Sequence, residues 1–341
     1  MTELMDVASL ASFLDIHFGD EVALDVERHQ AGHSNETFFI TRGDDRYVLR
    51  RPPAGAFLPS AHDVGREYTV LSALSGTVAR SPRTIVSCED PEIIGAPFYL
   101  MERIDGVVIR ADLPGFLTEA ERHRVGEELV DSLVELHSIE PASVGLDGFG
   151  KTTGYLERQL RRWNGQLELT LPFTRPLPDL EKVGAWLGDN LPESPPSKLV
   201  HGDYKLDNVM FVPEAPVRLN AILDWEMSTI GDPLADLGWM ISFWSEPEDP
   251  GGDVFADLTN VTVQPDFSRR KDLIARYEER SGIDVRAMDW YRVLATWKLA
   301  ILLEGSYARH LAGATDDPFF ARMEEGVPAL ARRGLTLMAG A

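Results

Sequence analysis

Cysteine is almost missing. Cys88 stands alone among 341 residues, so no disulfide can close within the chain. The CxxC and Cys/His spacings of zinc sites are absent with it. The eight histidines fall into no HExxH or other metal-site spacing. No run of 18 apolar residues occurs, which leaves no candidate for a membrane-spanning helix. Positive charge is also scarce: 33 basic residues stand against 55 acidic ones, a net charge of −22. That balance argues against nucleic acid or an anionic membrane as the main partner. It suits a cationic ligand, and equally well a surface kept soluble by acidic side chains. The opening stretch, MTELMDVASLASFLDIHFGDE, has no basic segment ahead of an apolar one, so it reads as a short amphipathic helix and not as a signal peptide. A cytoplasmic protein is the expectation.

What is present is ordinary for a globular chain, at 44% hydrophobic and 26% charged residues. The length allows one large domain or two lobes sharing an interface. The first hundred residues read as strands around one helix. EVALDVERHQ alternates apolar and polar, and ETFFITRGDDRYVLRRP is two strand-like runs joined by Gly43-Asp44-Asp45. Val64, Tyr68, Leu71 and Leu74 share a helical face that stops at Gly76. RTIVSC and APFYLMERI are two further strands. From about residue 104 the pattern turns helical. Thr118 and Glu121 have the spacing of a capping box, ahead of a stripe at Val125, Leu129, Leu133 and Leu136. Two short strands follow the Pro-rich PESPPS segment, and helices run from there to the end. The expected fold is α+β, with a small β-rich lobe over 1–103 and a larger, mainly helical lobe over 104–341.

Two stretches compete for phosphate chemistry. GLDGFGKT, residues 145–152, fits the P-loop pattern G-x-x-x-x-G-K-[ST]. A working P-loop follows a strand and opens a helix, so that backbone N–H groups meet the phosphates. Here LVELHSIEPASV precedes it, a helix end and a Pro-containing loop. The βαβ alternation of a parallel-sheet NTPase is absent too. The segment therefore reads as a Gly-rich connection between helices, and a P-loop NTPase using Lys151 stays only as a rival reading for mutation of Lys151 to test.

HGDYKLDN, residues 201–208, is the stronger candidate. Residues 209–212 and 219–223 can pair as a hairpin around PEAPVR, which brings Asn208 beside Asp224. An amide oxygen next to a carboxylate makes a hard-oxygen site suited to Mg²⁺ with bound phosphates. Asp203 sits on a loop that can face the same place. Protein kinases carry H-R-D-x-x-x-x-N and a later metal-binding Asp, and this chain matches that spacing at His201, Asp203, Asn208 and Asp224. Phosphoryl transfer asks for little else: a carboxylate to orient the acceptor hydroxyl and charge to neutralise phosphates.

LVHGDYKLDNVMF followed by AILDWEMSTIGDPLADLGW resembles the aminoglycoside phosphotransferase (phosphotransferase enzyme) family of small-molecule kinases, from about residue 25 to about 310. Within it the chain is similar to the branch holding the kinase domain of acyl-CoA dehydrogenase fusion proteins and mycobacterial proteins provisionally assigned as aminoglycoside phosphotransferases. The resemblance implies a bilobal kinase-like fold, ATP as phosphate donor, Mg²⁺, Asp203 as catalytic base, and Asn208 and Asp224 as metal ligands. It also implies that Asp236 braces the 201–208 loop, with His201 as scaffold. YVLRR aligns with the kinase V-A-I-K strand and puts Arg50 where Lys is usual, and GREY offers Glu67 as its partner. Arg51 is the rival, but strand alternation points it to the other face. Gly32, Ser34 and Asn35 fall where a nucleotide-covering loop belongs, and Ser34 with nearby backbone N–H groups can meet phosphate oxygens. FYLMERIDG resembles the lobe-connecting hinge, with backbone groups of Glu102 and Ile104 toward adenine and Met101 lining its pocket.

The acceptor is a small hydroxylated molecule whose identity the sequence leaves open. Glu246, Glu248, Asp249 and Asp253 would suit an aminoglycoside. Arg158, Arg161, Arg162 and Trp163, with Trp297 and Lys298 on a late helix, would suit a hydroxy acid or hydroxyacyl-CoA. A catalytically silent nucleotide-binding protein is the alternative function.

Overall fold

A computed structural model describes residues 5–29, 35–53, 63–249, 260–315 and 317–340. It opens with helix α1 (Val7–Phe18), started by an Asp6 side chain that accepts from the Ser9 N–H and stopped by Gly19 in the left-handed region. Strands β1 (Leu24–His29), β2 (Glu36–Arg42) and β3 (Asp45–Arg51) follow, then helix α2 (Val64–Leu74), β4 (Thr84–Cys88) and β5 (Phe98–Glu102). They form one antiparallel sheet in the order β1-β2-β3-β5-β4. This matches the expected order of strands and helix.

Strand alternation splits the sheet into two faces. Phe38, Ile40, Leu49, Phe98 and Leu100 pack with Met5, Leu10 and Leu14 of the leading segment. Tyr99 and Met101 point the other way, toward α2, and belong to the main core with Val64, Val70, Leu71 and Leu74. Period-two alternation therefore separates Arg50 from Arg51. Arg51 lies on the α1 side, buried against Glu36 at 2.8 Å and the Ile94 carbonyl.

The rest is helical. Helix α3 (Glu119–Ser138) buries Val125, Leu129, Leu133 and Leu136, the expected stripe. The capping box does not form. Thr118 makes no side-chain cap bond, and Glu121 instead accepts the Val217 N–H at 2.7 Å. The carboxylate is drawn to an N–H in the turn of the later hairpin. Helices α4 (Tyr155–Thr170), α5 (Pro178–Asp189), α6 (Pro233–Ser242), α7 (Arg270–Ser281), α8 (Met288–Leu311) and α9 (Met323–Gly340) follow. Helix α8, 24 residues long, is the central post, with Tyr291, Val293, Trp297 and Ile301 at or below 1% exposure.

Two small ladders interrupt the helices. Strand β6 (Lys198–Val200) pairs with β9 (Thr229–Gly231), and β7 (Val209–Phe211) pairs with β8 (Leu219–Ile222). The β7–β8 hairpin was legible in the sequence, whereas β6 and β9 are too short to carry a period. Nested one inside the other, these ladders bring the segments 201–208 and 223–228 together. No described helix is long and apolar enough to cross a membrane.

GLDGFGKT sits where context placed it. Gly145 ends a short 3-10 helix, Pro141–Val144, with φ of 77°. No strand precedes it, and Lys151 is exposed at the rim of the loop into α4.

Candidate active site

The site begins where β6 runs into the 201–208 loop. His201 is fully buried. Its Nε2–H faces the Leu223 carbonyl at 2.8 Å, and its Nδ1 accepts the Asp203 N–H at 3.2 Å. Those partners orient the ring and make it a spacer between the two segments. Gly202 has φ of +86°, and a Cβ there would lie 2.6 Å from the Met227 carbonyl oxygen. Only glycine fits that turn.

Asp236 holds the loop from below. Its Oδ2 accepts the His201 N–H at 2.6 Å and its Oδ1 the Gly202 N–H at 2.8 Å. Burial opposes its charge, but the adjoining His137, together with His201 and the Gly202 N–H, holds the carboxyl below its usual range. Asp236 is placed by the start of α6, where Asp232 caps the Leu234 N–H and Pro233 takes the first turn.

Asp203 is gripped on both oxygens. The Trp239 indole N–H donates to Oδ1 at 2.7 Å and the Asn208 amide donates to Oδ2 at 2.8 Å. Lys205 Nζ spans both oxygens at 3.1 and 3.0 Å. Burial would raise this carboxyl, but Lys205 and Lys298 outweigh it and keep it below its usual range. Lys298, on α8, donates to the Gly202 carbonyl at 2.9 Å and lies 4.1 Å from the Trp239 ring centre. Burial pulls its ammonium down from 10.5 to about 8.

The hairpin register pairs Val209 with Ile222, and the Leu223 N–H donates to the Asn208 carbonyl at 2.8 Å. Asn208 and Asp224 are thereby brought side by side, as expected. The Asn208 Nδ2 is spent on Asp203, which leaves the side-chain amide oxygen Oδ1 to face a cation. Asp224 takes a left-handed conformation, φ 66° and ψ 66°, uncommon for a residue with a side chain. Its carboxylate is 37% exposed against 20% for Asp203. Among the described residues no three His, Cys, Asp or Glu side chains converge as a metal cage. One carboxylate and one amide oxygen do fit Mg²⁺, which takes a few protein ligands and fills its octahedron from phosphates and water.

The sheet supplies the opposite wall. Arg50 meets Glu67 at 3.0 Å and also faces Asp224 at 3.3 Å and Glu226 at 3.9 Å. Burial works against the guanidinium charge, but Glu67 and the other carboxylates hold it firmly protonated. Burial in turn raises the Glu67 carboxyl, with Arg50 pulling it back. Glu67 Oε1 also accepts the Trp225 N–H at 3.3 Å. Between sheet and hairpin lies a cavity of about 610 Å³, with Val48, Met101, Met210 and Leu223 among its apolar lining. Glu102 and Ile104 line it as well, at the strand exit. Asn35 is buried at the Arg50 end, its amide 3.4 Å from Glu226. Gly32, Ser34 and the acidic residue Asp253 lie outside the described residues.

Other acceptor candidates are rearranged. Trp297 is a core residue, with its N–H on the Leu180 carbonyl. Glu248 pairs with Arg269, and Glu246 and Asp249 with Arg270, so each of these three carboxylates already has an arginine partner. Arg158 is turned back onto the Lys151 and Thr153 carbonyls. Trp239 and Lys205 went unnoticed in the sequence. Helical spacing contained the first: Trp239 stands three residues past Asp236 and shares its face.

Residues 25–291 match the model of the phosphotransferase enzyme family. Acyl-CoA dehydrogenase family member 11 of Rattus norvegicus is 36% identical over 97% of this chain and 43% of that protein. Acyl-CoA dehydrogenase family member 10 of Mus musculus is 34% identical over 83% of this chain and 26% of that protein. The chain thus spans less than half the length of these relatives. A crystal structure from Ralstonia eutropha JMP134, described provisionally as an aminoglycoside phosphotransferase, superposes with a TM-score of 0.83 at 29% identity, over 99% of both chains. Aminoglycoside phosphotransferase APH(4)-Ia, solved with AMP-PNP and hygromycin B, shares the fold at a TM-score of 0.59 and 17% identity, over 98% of this chain and 100% of that one. The expected α+β, bilobal kinase-like architecture is therefore the one found. The family match covers well over half of the sequence, and the chain belongs to the phosphotransferase enzyme family.

Proposed function

We propose that the chain is an ATP- and Mg²⁺-dependent kinase that moves the γ-phosphoryl group to a hydroxyl of a small molecule. One observation carries this reading. Asn208 and Asp224 line a cavity beside the Arg50–Glu67 pair, and Asp203 is hydrogen-bonded to Asn208 next to them. Asp203 orients the acceptor hydroxyl and takes its proton. Its depressed basicity suits a loose transition state, in which the hydroxyl needs alignment more than early deprotonation. Asn208 and Asp224 would hold Mg²⁺, which neutralises phosphate charge when bound. Arg50, braced by Glu67, faces the α- and β-phosphates, and Asn35 lies at the same end. Met101, with backbone groups of Glu102 and Ile104, receives the adenine, and Gly32 and Ser34 belong to the covering loop. On this reading residues 1–103 bind the nucleotide and 104–341 supply the chemistry and the acceptor site.

The acceptor reading that fits best is an anionic hydroxylated molecule, a hydroxy acid or hydroxyacyl thioester. Lys205 and Lys298 both border Asp203, whereas Glu246, Glu248 and Asp249 are already paired with arginines. An aminoglycoside, with several ammonium groups, finds no free carboxylate cluster among the described residues named here.

The test is ATP turnover, with and without Mg²⁺, against hydroxy acids, hydroxyacyl-CoA thioesters and aminoglycosides. Wild type is compared with Asp203→Ala and Lys151→Ala. The kinase reading expects loss in Asp203→Ala alone. Loss in Lys151→Ala alone would overturn it. Nucleotide binding without turnover on any acceptor would point to a silent binding protein.

A further inference from the structure

The GLDGFGKT segment binds no phosphate in the reading above, yet it touches the phosphate-binding wall through one side chain. Arg66 on α2 donates to the Phe149 carbonyl at 2.7 Å and to the Ser228 carbonyl at 3.2 Å. Its guanidinium lies 3.8 Å from the Phe149 ring centre. Phe149 belongs to GLDGFGKT, and Ser228 to the turn that follows Asp224. The bed beneath is tightly built: a Cβ on Gly150 would lie 2.6 Å from Thr229 Oγ1 and 2.7 Å from the Ile230 nitrogen, so the loop backbone presses directly on β9. The next residue on α2 is Glu67, which takes the Trp225 N–H and holds Arg50. Neighbouring helical residues project about 100° apart. Arg66 and Glu67 therefore grip the two ends of one turn, Trp225 and Ser228.

We propose that Arg66 is a positioning residue, bolting α2 to the 145–152 loop so that Glu67, and not Asp224, is the main partner of Arg50. Arg50 stands between two carboxylates, 3.0 Å from Glu67 and 3.3 Å from Asp224. With α2 held, Arg50 sits closer to Glu67, and its contacts with Asp224 stay at 3.3 Å, long enough for a cation to displace them. With α2 released, Arg50 turns onto Asp224 and competes with Mg²⁺ for it. The bolt thus governs the phosphate end of the cavity and leaves the apolar end untouched. This inference rests on the nucleotide-binding reading above.

The experiment is calorimetric titration of Mg²⁺·AMP-PNP and, separately, of adenosine, into wild type, Arg66→Ala, Arg66→Lys and Lys151→Ala. Arg66→Ala should bind Mg²⁺·AMP-PNP about tenfold more weakly or worse, the scale of lost hydrogen bonds from a charged donor. Adenosine affinity should stay within about twofold. Arg66→Lys, which keeps the charge but cannot span both carbonyls, should fall between, and it carries the test if Arg66→Ala does not fold. Lys151→Ala should match wild type for both ligands. Equal weakening of both ligands would reduce Arg66 to a structural role and overturn the proposal, as would Arg66 variants that bind both like wild type. Wild type that binds neither ligand would instead overturn the nucleotide reading on which it rests.

Discussion

Replacing Arg50 with Met removes one charge and strands another. Glu67 is only 1% exposed and lies 3.0 Å from the guanidinium. Asp224 and Glu226, the other carboxylates facing Arg50, are 37% and 22% exposed and can turn to water. Breaking a buried pair by deleting one partner costs about 3–5 kcal/mol, whereas an exposed pair returns about 0–1 kcal/mol. The Glu67 contact therefore decides the outcome, and Arg50→Met should lose about 3–5 kcal/mol at pH 8. A proton relieves part of that loss. The Glu67 carboxyl is already raised by burial, and the variant lacks the guanidinium that pulls it down. A carboxyl whose folded value lies above its unfolded 4.5 is least costly below that value, and stability is lost as pH rises through the folded value. The gap between wild type and variant should therefore narrow from pH 8 to pH 5, by about 1.4 kcal/mol for each unit of added shift. Adding Glu67→Gln to Arg50→Met should recover much of the loss, because a neutral amide is cheaper to bury. Urea unfolding of the three proteins at pH 5, 6.5 and 8, followed by tryptophan fluorescence, measures this. A loss under about 1 kcal/mol at pH 8, a gap independent of pH, or a double variant weaker than Arg50→Met would refute the reasoning.

Three further outcomes are expected. Trp239→Phe keeps the ring under Lys298 but deletes the 2.7 Å hydrogen bond to Asp203. Turnover should fall about 10- to 100-fold with little change in the KM for ATP, and a normal turnover number would refute it. Gly202→Ala forces a side chain into φ of +86° and onto the Met227 carbonyl, so urea unfolding should show a loss of about 1–3 kcal/mol. Lys298 should titrate near pH 8 in carbon-13 NMR of the reductively methylated protein, its signal assigned by absence in Lys298→Arg. Its folded value lies below the unfolded 10.5, so the folded state binds fewer protons between about 8 and 10.5, and the Lys298 contribution to stability should rise with pH across that window. A Lys298 signal titrating near 10.5 would sink that expectation.

The parts of the site that are local in sequence were the parts that could be read. HGDYKLDN and ILDWE each fit within one loop or turn, and the hairpin between them follows from strand pattern and turn composition. Arg50 and Glu67 were legible because a strand has period two and a helix 3.6, which fixes the face each presents. The GLDGFGKT match was rejected on its neighbours, since a P-loop is defined by the strand before it. What escaped reading depends on distance in the chain. Trp239 reaches Asp203 across 36 residues and Lys298 reaches Gly202 across 96. No periodicity in a window of 18 residues encodes such a meeting. Trp297 shows the same limit from the other side: it and Lys298 are adjacent, but one turns to the α5 core and the other to the loop. Strands β6 and β9, three residues each, are specified by pairing with each other and not by their own composition.

The two faces of the sheet belong to separate hydrophobic clusters, and this gives the chain an uneven liability in the cell. Phe38, Ile40, Leu49 and Leu100 share their cluster with Leu10 and Leu14 of one short helix, α1, and with Met5. The opposite face is welded through α2 into the large core. If α1 detaches, a broad apolar β-surface is bared while the rest of the fold still stands. That is the kind of partly open species on which chains self-associate and which chaperones recognise. How often that surface opens depends on how firmly Leu10 and Leu14, both fully buried, stay seated on the sheet.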